Sequence, residues 1–513
     1  MTTKNLSAEM VVVGGGGAGL AAALSAAESG CKNIIVLEKA GSAAGSTAMA
    51  HDIFGAESPV QKRQGVDARK DDLFKIAMEW AHWTKINPRI VRAFIDKSGD
   101  TIGWLEKKGL QFELIQYFPN QVPLVRHSVS GHGHALMKTL RDHCEQLGVK
   151  ILTRTPGKKL LRDANGKISG VVAESRKGEL TIKTKTVVIT TGGYGNNKEM
   201  LKKYCPYYHE TITYDGPPSN TGDGITMAVE IGAATAGMGA LNLHGPFLRH
   251  KSDSEVMKMD AKWIDGGPIR ISLWFLAWEP EMLWVNKRGR RFIDEGYNLA
   301  FFAFGNAVAL QPGGICYTLF DSTTLQRIET EGLIRPGAAS RANWLPVSAA
   351  TPLPGLEREV RKLAGKGDLK IYNSWDEIAG WMGATPDALR DTIDEYNSAC
   401  DQKHDSLFAK DPRYLLPLRT PPFYAVKGHV ALCDAYGGIK INEKMEALDT
   451  EDNPIPGLYA AGSTAGCWES EAYCYRLTGH LVGFALNSGR IAGENAVQYI
   501  SKMSSVKSFA AGA

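Results

Sequence analysis

A run of glycines near the N-terminus offers the first chemistry. Gly14-Gly15-Gly16-Gly17-Ala18-Gly19 satisfies the G-x-G-x-x-G spacing. Alone, that spacing is weak, because 55 glycines in 513 residues give it many chances to arise. Its surroundings make it strong. Met10-Val11-Val12-Val13 reads as a buried parallel strand. Leu20 to Glu28 is rich in Ala and Leu and reads as a helix, and Asn33 to Leu37 reads as a second strand that ends at Glu38. Glu38 lies 19 positions after Gly19, close to the roughly 20 at which an acid accepts from a ribose hydroxyl. The glycines permit a tight turn and close approach of a pyrophosphate, whose charge then faces the amides at a helix N-terminus. The expected ligand is a dinucleotide. Glu38 favours an unphosphorylated ribose, as in FAD or NAD, over NADP.

Further along, Ala43-Ala44-Gly45-Ser46-Thr47-Ala48-Met49-Ala50 is a stretch of small residues that lets backbone lie close against a ring system. Val187-Val188-Ile189-Thr190-Thr191-Gly192-Gly193 is another buried strand ending in a Gly turn, and Asn220-Thr221-Gly222-Asp223-Gly224 opens a helix. Pro456 to Gly462 is a third strand-to-turn element, and it leads to Arg476-Leu477-Thr478-Gly479-His480 and a helix from Leu481 to Ile500. Six landmarks stand in order: the Gly14 loop with Glu38, Thr191 to Tyr194, Asn220 to Gly224, Asn286 to Glu295, Gly437-Gly438, and Gly457 to Arg476. Over nearly the whole chain they resemble the flavoprotein family of soluble fumarate reductases, succinate dehydrogenase flavoprotein subunits, L-aspartate oxidase, urocanate reductase and 3-ketosteroid dehydrogenases.

The resemblance implies FAD. It assigns FAD to Gly14, Gly16, Gly17, Ala18, Gly19, Glu38, Lys39, Gly45, Ser46, Thr47, Thr191, Gly192, Asn220, Asp223, Gly462, Ser463, Leu477 and Thr478. In membrane-bound relatives a histidine after the acid-ending strand bonds covalently to the flavin. Ser46 stands at the matching position here, so noncovalent attachment is expected. His51 is read as a polar residue near the flavin rather than a link. With no second G-x-G-x-x-G, no separate NAD domain is expected.

A flavin transfers hydride at N5, so the chain must hold a substrate carbon there, stabilise developing charge, and move a proton at the neighbouring carbon. Arg476 matches the family arginine that clamps a substrate carboxylate. It also sits by a helix start, where an idle cation is unfavourable. His244, in Leu243-His244-Gly245-Pro246, matches the family's first carboxylate-binding histidine. The next position breaks the pattern. Relatives carry a proton donor four residues after the Glu of Arg291-Phe292-Ile293-Asp294-Glu295, and Leu299 stands there. The second histidine is also missing, since the approach to Gly437-Gly438 reads Leu432-Cys433-Asp434-Ala435-Tyr436. Tyr297, Tyr436, Tyr473 and Tyr475 stand nearby, and Tyr297 and Tyr436 are the expected replacement donors. Their phenylalanine variants are expected to be nearly inactive. The break points away from fumarate toward a bulkier unsaturated acid or an enone. Trp263, Trp274, Phe275, Trp278 and Trp284 read first as core packing and second as pocket lining.

The expected fold is α/β: a Rossmann-like FAD-binding domain with an inserted α+β capping domain. Its first part spans 1–243 and its second 433–513, with the capping domain at 244–432. A β-meander is expected around Lys158 to Lys183, turning at Asn165-Gly166. Ser374-Trp375-Asp376-Glu377 reads as a capping box, and Thr385-Pro386 as a helix start. Leu389, Ile393, Tyr396 and Cys400 then share one buried face. The tail from Ser501 is expected to fray.

Composition sets outer limits. Lys plus Arg at 59 against Asp plus Glu at 55 gives +4, too little for a nucleic-acid footprint. No apolar run of about 18 residues marks a membrane span. Eight scattered cysteines show no metal, haem or disulfide spacing, and a cytoplasmic setting is the default. His132 and His134 lack a third ligand, so no metal is expected. Electrons must therefore pass to or from a separate donor or acceptor. The expected activity is FAD-dependent oxidoreduction of a C–C/C=C bond conjugated to a carboxylate or carbonyl. The alternatives are a 3-ketosteroid-type dehydrogenase and a noncatalytic flavin electron-transfer subunit.

Overall fold

The computed structural model describes residues 4–116, 123–176, 178–247, 262–264, 267–269, 276–296, 303–334, 350, 352–364 and 367–511. The expectations placed on Tyr297, Leu299, Trp274 and Phe275 lie outside the described residues.

Nine elements carry the description: β1 (Met10–Val13), α1 (Gly17–Glu28), β2 (Ile34–Leu37), β3 (Lys150–Leu152), β4 (Val187–Ile189), β5 (Thr235–Phe247), β6 (Phe423–Ile439), β7 (Pro454–Ala460) and α2 (His480–Ala511). The central sheet runs β3-β2-β1-β4-β7 in parallel, and Glu446–Leu448 closes it antiparallel to β7. Burial on both faces explains the uninterrupted apolar runs of its strands. Helix α1 is almost wholly buried because α2 crosses it at very short range. A Cβ on Gly489 would fall 2.3 Å from the Ala18 carbonyl oxygen, and one on Gly493 2.3 Å from that of Ala22. The two glycines, one turn apart, let the helix backbones touch. Helix α2 runs on to Ala511, past the fraying expected from Ser501.

The expected meander is Gly157–Arg162, Ile168–Ser175 and Gly178–Lys183. The second large sheet is organised by β6, which pairs antiparallel with β5, Ile315–Asp321 and Leu369–Tyr372, and parallel with Thr213–Tyr214. The expected junctions at 243/244 and 432/433 fall inside β5 and β6, and the pairing of β5 shifts register on either side of the first, between Asn242 and Leu243 and between His244 and Phe247. Strand β6 changes cores along its length. Tyr424 and Val426 pack with Trp278, Trp284 and Phe304, whereas Val430, Leu432 and Ala435 join the core of the nucleotide sheet. Trp278 and Trp284 meet Phe304 edge-on at 5.5 and 5.4 Å, which places both in the cap core.

Both expected helix starts are present: Ser374 and Glu377 exchange the capping-box bonds, and Thr385 accepts from the Ala388 amide. The Arg291 to Glu295 element is locked by buried charges. Arg291 meets Glu295 at 2.8 Å and Asp405 at 2.7 Å, and Lys410 meets Glu295 at 3.1 Å.

Candidate active site

The site begins where β1, β2 and β4 end together. Gly14 takes a φ of +115°, and a Cβ there would meet the Thr190 carbonyl oxygen at 2.3 Å. Gly16 is the N-cap of α1, which has no side-chain cap and no acid in its first turn. The amides at this helix start are therefore open to an anion. Gly45, at φ +56°, faces Gly16 backbone to backbone, and a Cβ on Gly17 would come within 2.4 Å of the Thr47 hydroxyl. These positions wall a groove where side chains would block a ring or a phosphate.

Glu38 closes the nucleotide end. Its Oε2 accepts from the Gly15 amide at 2.8 Å and its Oε1 from the Ala40 amide at 2.6 Å, and it is buried. It therefore shapes the loop as well as facing the groove. Lys39 meets Asp223 at 2.7 Å and the Thr221 hydroxyl at 2.6 Å across the rim. Burial raises the Asp223 carboxyl, but Lys39 and Thr221 outweigh it and hold the group below its ordinary value. Asn220 donates to the Ser46 hydroxyl at 3.2 Å. Of the residues assigned to FAD, all but Gly19, Leu477 and Thr478 line this groove. Gly19 lies just behind it, where a Cβ would strike the Gly14 carbonyl oxygen at 1.9 Å. Leu477 and Thr478 are buried outside the groove lining.

The groove opens at Ser46, Thr47, Ser463 and Ala485 onto a second cavity of about 220 Å³. Its polar lining is His51, Asp52, Arg126, Asn242, His244, Cys433, Asp434 and Tyr473, and Met49, Pro217, Leu481 and Val482 supply apolar surface. Asp52–Phe54 pairs with Arg126–Val129, and that antiparallel contact brings Arg126 onto Asp52, Nε to Oδ2 at 2.5 Å. The pair is buried. His244 projects from β5, and burial alone pushes its imidazole down to about 3. Burial also takes His51 down to about 4, offset in part by Asp52. Both rings are neutral in ordinary buffers. Asp434, on β6 opposite Asn242, is pushed up to about 6 by burial, against the hydrogen bonds from Ser463 and the Ala435 amide.

The catalytic assignments divide. His244 lines the cavity. Tyr436 lies in the hydrophobic core, outside the cavity lining, with its ring edge-on to Trp468 at 5.5 Å. Arg476 is exposed and also outside the lining. Tyr475 begins the short turn Tyr475–Leu477. Tyr473 does face the cavity, and its hydroxyl accepts from the Gly479 amide at 3.0 Å. Sequence reading missed Asp52, Arg126, Asn242 and Asp434. Only Asp434 left a signal: it stands in the Gly437-Gly438 approach, where a histidine was sought and an acid was found.

Residues 9–479 match the family described as FAD binding domain. The vinyl phenol reductase of Lactiplantibacillus plantarum is 30% identical, covering 98% of this chain and 99% of that one. The urocanate reductase of Eggerthella lenta is 28% identical over 95% of this chain and 74% of its own. Among solved structures, the open conformation of a flavocytochrome c3 fumarate reductase superposes with a TM-score of 0.68 at 25% identity, covering 96% of this chain and 79% of that one.

Proposed function

The chain belongs to the FAD-binding flavoprotein family of fumarate reductases and their C=C-reducing relatives, and on that premise we propose that it reduces the side-chain double bond of a neutral phenolic alkene. It is an FAD-dependent oxidoreductase. Bound in the groove, FAD supplies the hydride. Its attachment is noncovalent in this reading, because Ser46 offers no bond of the histidine kind and its hydroxyl is engaged by Asn220.

The charge balance of the cavity carries the substrate assignment. Among the described lining residues Arg126 is the only Lys or Arg, and Asp52 neutralises it. Both histidines are uncharged and Asp434 adds negative charge when it ionises. Among the described residues a dicarboxylate entering this cavity would find no surplus cation, and burying an uncompensated charge is expensive. In this reading an uncharged phenolic alkene is favoured over the unsaturated acid or enone expected from the family resemblance. The vinyl phenol reductase relative is named for such a substrate.

A styrene lacks the carbonyl that normally takes up charge as hydride arrives. A para-hydroxyl replaces it: loss of the phenolic proton together with protonation of the terminal carbon makes the inner carbon electrophilic. The cavity offers acceptors for the phenol in Asp52 and the two neutral imidazoles, and apolar surface for the ring. Among the described residues no helix is long and apolar enough to cross a membrane. The electrons come from a separate donor.

Steady-state assays with reduced viologen and FAD-loaded protein test the assignment. Para-vinylphenol should exceed fumarate in kcat/KM by about 100-fold, the equivalent of about 3 kcal/mol for an uncompensated buried carboxylate. Para-hydroxycinnamate should fall between them. A preference for fumarate would overturn the reading. Acid precipitation should release all the flavin to the supernatant, and flavin retained in the pellet would refute noncovalent binding.

A further inference from the structure

Asp434 is a buried acid that no described cation pairs. It is 6% exposed, and among the described residues no ion pair reaches it. Its Oδ2 accepts from the Ser463 hydroxyl at 2.6 Å, and its Oδ1 accepts from the Ala435 amide at 2.9 Å. The carboxyl lines the cavity and is bonded there to Ser463, at the seam between the two spaces. Ser463 lines both of them, and Oδ1 comes so near Gly193 that a Cβ there would sit 2.8 Å away. If Asp434 served only to hold the Ser463 turn, an amide would do the same work without the cost of a buried charge.

We propose that Asp434 is the catalytic acid that delivers the proton to the alkene, and that Ser463 is the positioning residue that holds its carboxyl at the seam. This rests on the reading of the cavity as the site of C=C reduction. The carboxyl O–H bond breaks as a C–H bond forms at one alkene carbon. The other alkene carbon takes the hydride equivalent from reduced FAD, itself recharged by the separate donor. The carboxylate left behind regains its proton from solvent. Asp434 is the one carboxyl among the described residues that lines the cavity and also bonds a residue shared by both spaces, Ser463.

The neighbours fix the expected pH response. Asn242 and His244 face Asp434 from β5, and Tyr214 faces it from its short strand. Cys433 and Tyr436 adjoin it on β6, and Ser463 reaches it from the 462–464 turn. Across the cavity stand His51, Tyr473 and the Asp52–Arg126 pair. His51 and His244 are already neutral well below pH 6, so among the described groups facing the carboxyl an activity limb near pH 6 belongs to Asp434. The acid must carry its proton, so kcat falls as pH rises through that limb. Ser463 favours the ionised form, so Ser463→Ala moves the limb to higher pH.

The test combines kinetics with a substrate-free titration of the FAD-loaded protein. Asp434→Asn should keep flavin and fold while losing roughly 10²–10⁴-fold in kcat on the best alkene found. Infrared spectroscopy of the resting protein should show the carbonyl stretch of a protonated carboxyl that disappears with rising pH. That band should be absent in Asp434→Asn and should titrate higher in Ser463→Ala, in step with the kinetic limb. Activity of Asp434→Asn close to wild type would overturn the proposal. So would a Ser463→Ala variant whose infrared titration moves while its kinetic limb stays. Should Asp434→Asn fail to fold, the Ser463→Ala pair of measurements decides alone. If para-vinylphenol is not reduced but another alkene is, the substrate assignment falls and the Asp434 test proceeds on that alkene.

Discussion

The groove and the cavity beside it are built from different materials. The groove is walled by backbone: Gly14, Gly16, Gly17, Gly45, Gly192 and Gly462 leave room for a large ligand by having no side chain. The cavity is walled by side chains drawn from far apart, with Asp52 and Arg126 74 residues apart and Asp434 and Ser463 29 apart. A wall of backbone tolerates almost no change, because any Cβ occupies the ligand's space or collides with a carbonyl. A wall of side chains can be rewritten one residue at a time while the cofactor stays in place. The same cofactor frame can then serve different substrates.

The sharpest break of this contrast lies just behind the groove wall. Gly19→Ala places a carbon 1.9 Å from the Gly14 carbonyl oxygen, with backbone on both sides of the clash. Neither α1 nor the loop can yield, so about 4 kcal/mol or more of stability should be lost together with flavin binding. The ratio of flavin to protein absorbance and the melting temperature would show it. Full flavin content in this variant would mean the groove is as adaptable as the cavity.

In the cavity the largest expected cost is electrostatic. Asp52→Ala leaves the buried Arg126 guanidinium without its carboxylate, a loss of about 3–5 kcal/mol. Removing both charges in Asp52→Ala/Arg126→Ala should restore much of that, because no unpaired charge remains. Urea unfolding of the two singles and the double closes the cycle. Additive costs would show that the pair is not coupled and that Arg126 has charge to spare for an anion, which would reopen the case for carboxylate substrates.

A smaller effect is expected at the nucleotide end. Glu38→Gln keeps a side-chain acceptor but loses the charge and one of the two acceptors that now fix the Gly15 and Ala40 amides. FAD affinity should weaken by about 1.5–3 kcal/mol, or about 10–100-fold in Kd, by fluorescence titration of the flavin-free protein. An unchanged Kd would assign Glu38 to loop geometry alone.

The same contrast decides what could be read from the sequence. The strand, glycine loop, helix, strand and acid of the groove are local in the chain, and each leaves a mark in residue type and spacing. The capping box at Ser374 and the buried face from Leu389 to Cys400 were legible for that reason. Arg126 meeting Asp52 depends on which strands pair, and nothing in either segment announces it. The junctions at 243/244 and 432/433 were placed by where motifs stop, yet each falls inside a strand, and β6 serves two cores along its length. Arg476 was assigned from its motif, and its side chain stands exposed at the surface turn. A motif fixes the order of residues along the chain and leaves their direction to packing.

Tyr436 gives the smallest expected effect and the finest test of where the cavity ends. Read from the chain, it was a proton donor whose loss should abolish turnover. In the fold its ring packs on Trp468 within the core, and its hydroxyl has no hydrogen-bond partner among the described residues. The backbone around it is held by the Tyr194 hydroxyl, which donates to the Tyr436 carbonyl oxygen at 3.1 Å and does not need the phenol. Burial, reinforced by the negative charge of Glu469, pushes the Tyr436 phenol well above its ordinary value, so it releases a proton less readily than a free tyrosine. Tyr436→Phe deletes a buried polar atom that gains nothing from its surroundings. It should therefore leave turnover within a fewfold of wild type and stability unchanged or higher by about 1 kcal/mol. Thermal unfolding and kcat measured on the same flavin-loaded preparation give both numbers. A stable Tyr436→Phe that holds its flavin but has lost turnover would place this hydroxyl in the reaction and extend the substrate cavity into what is here the core.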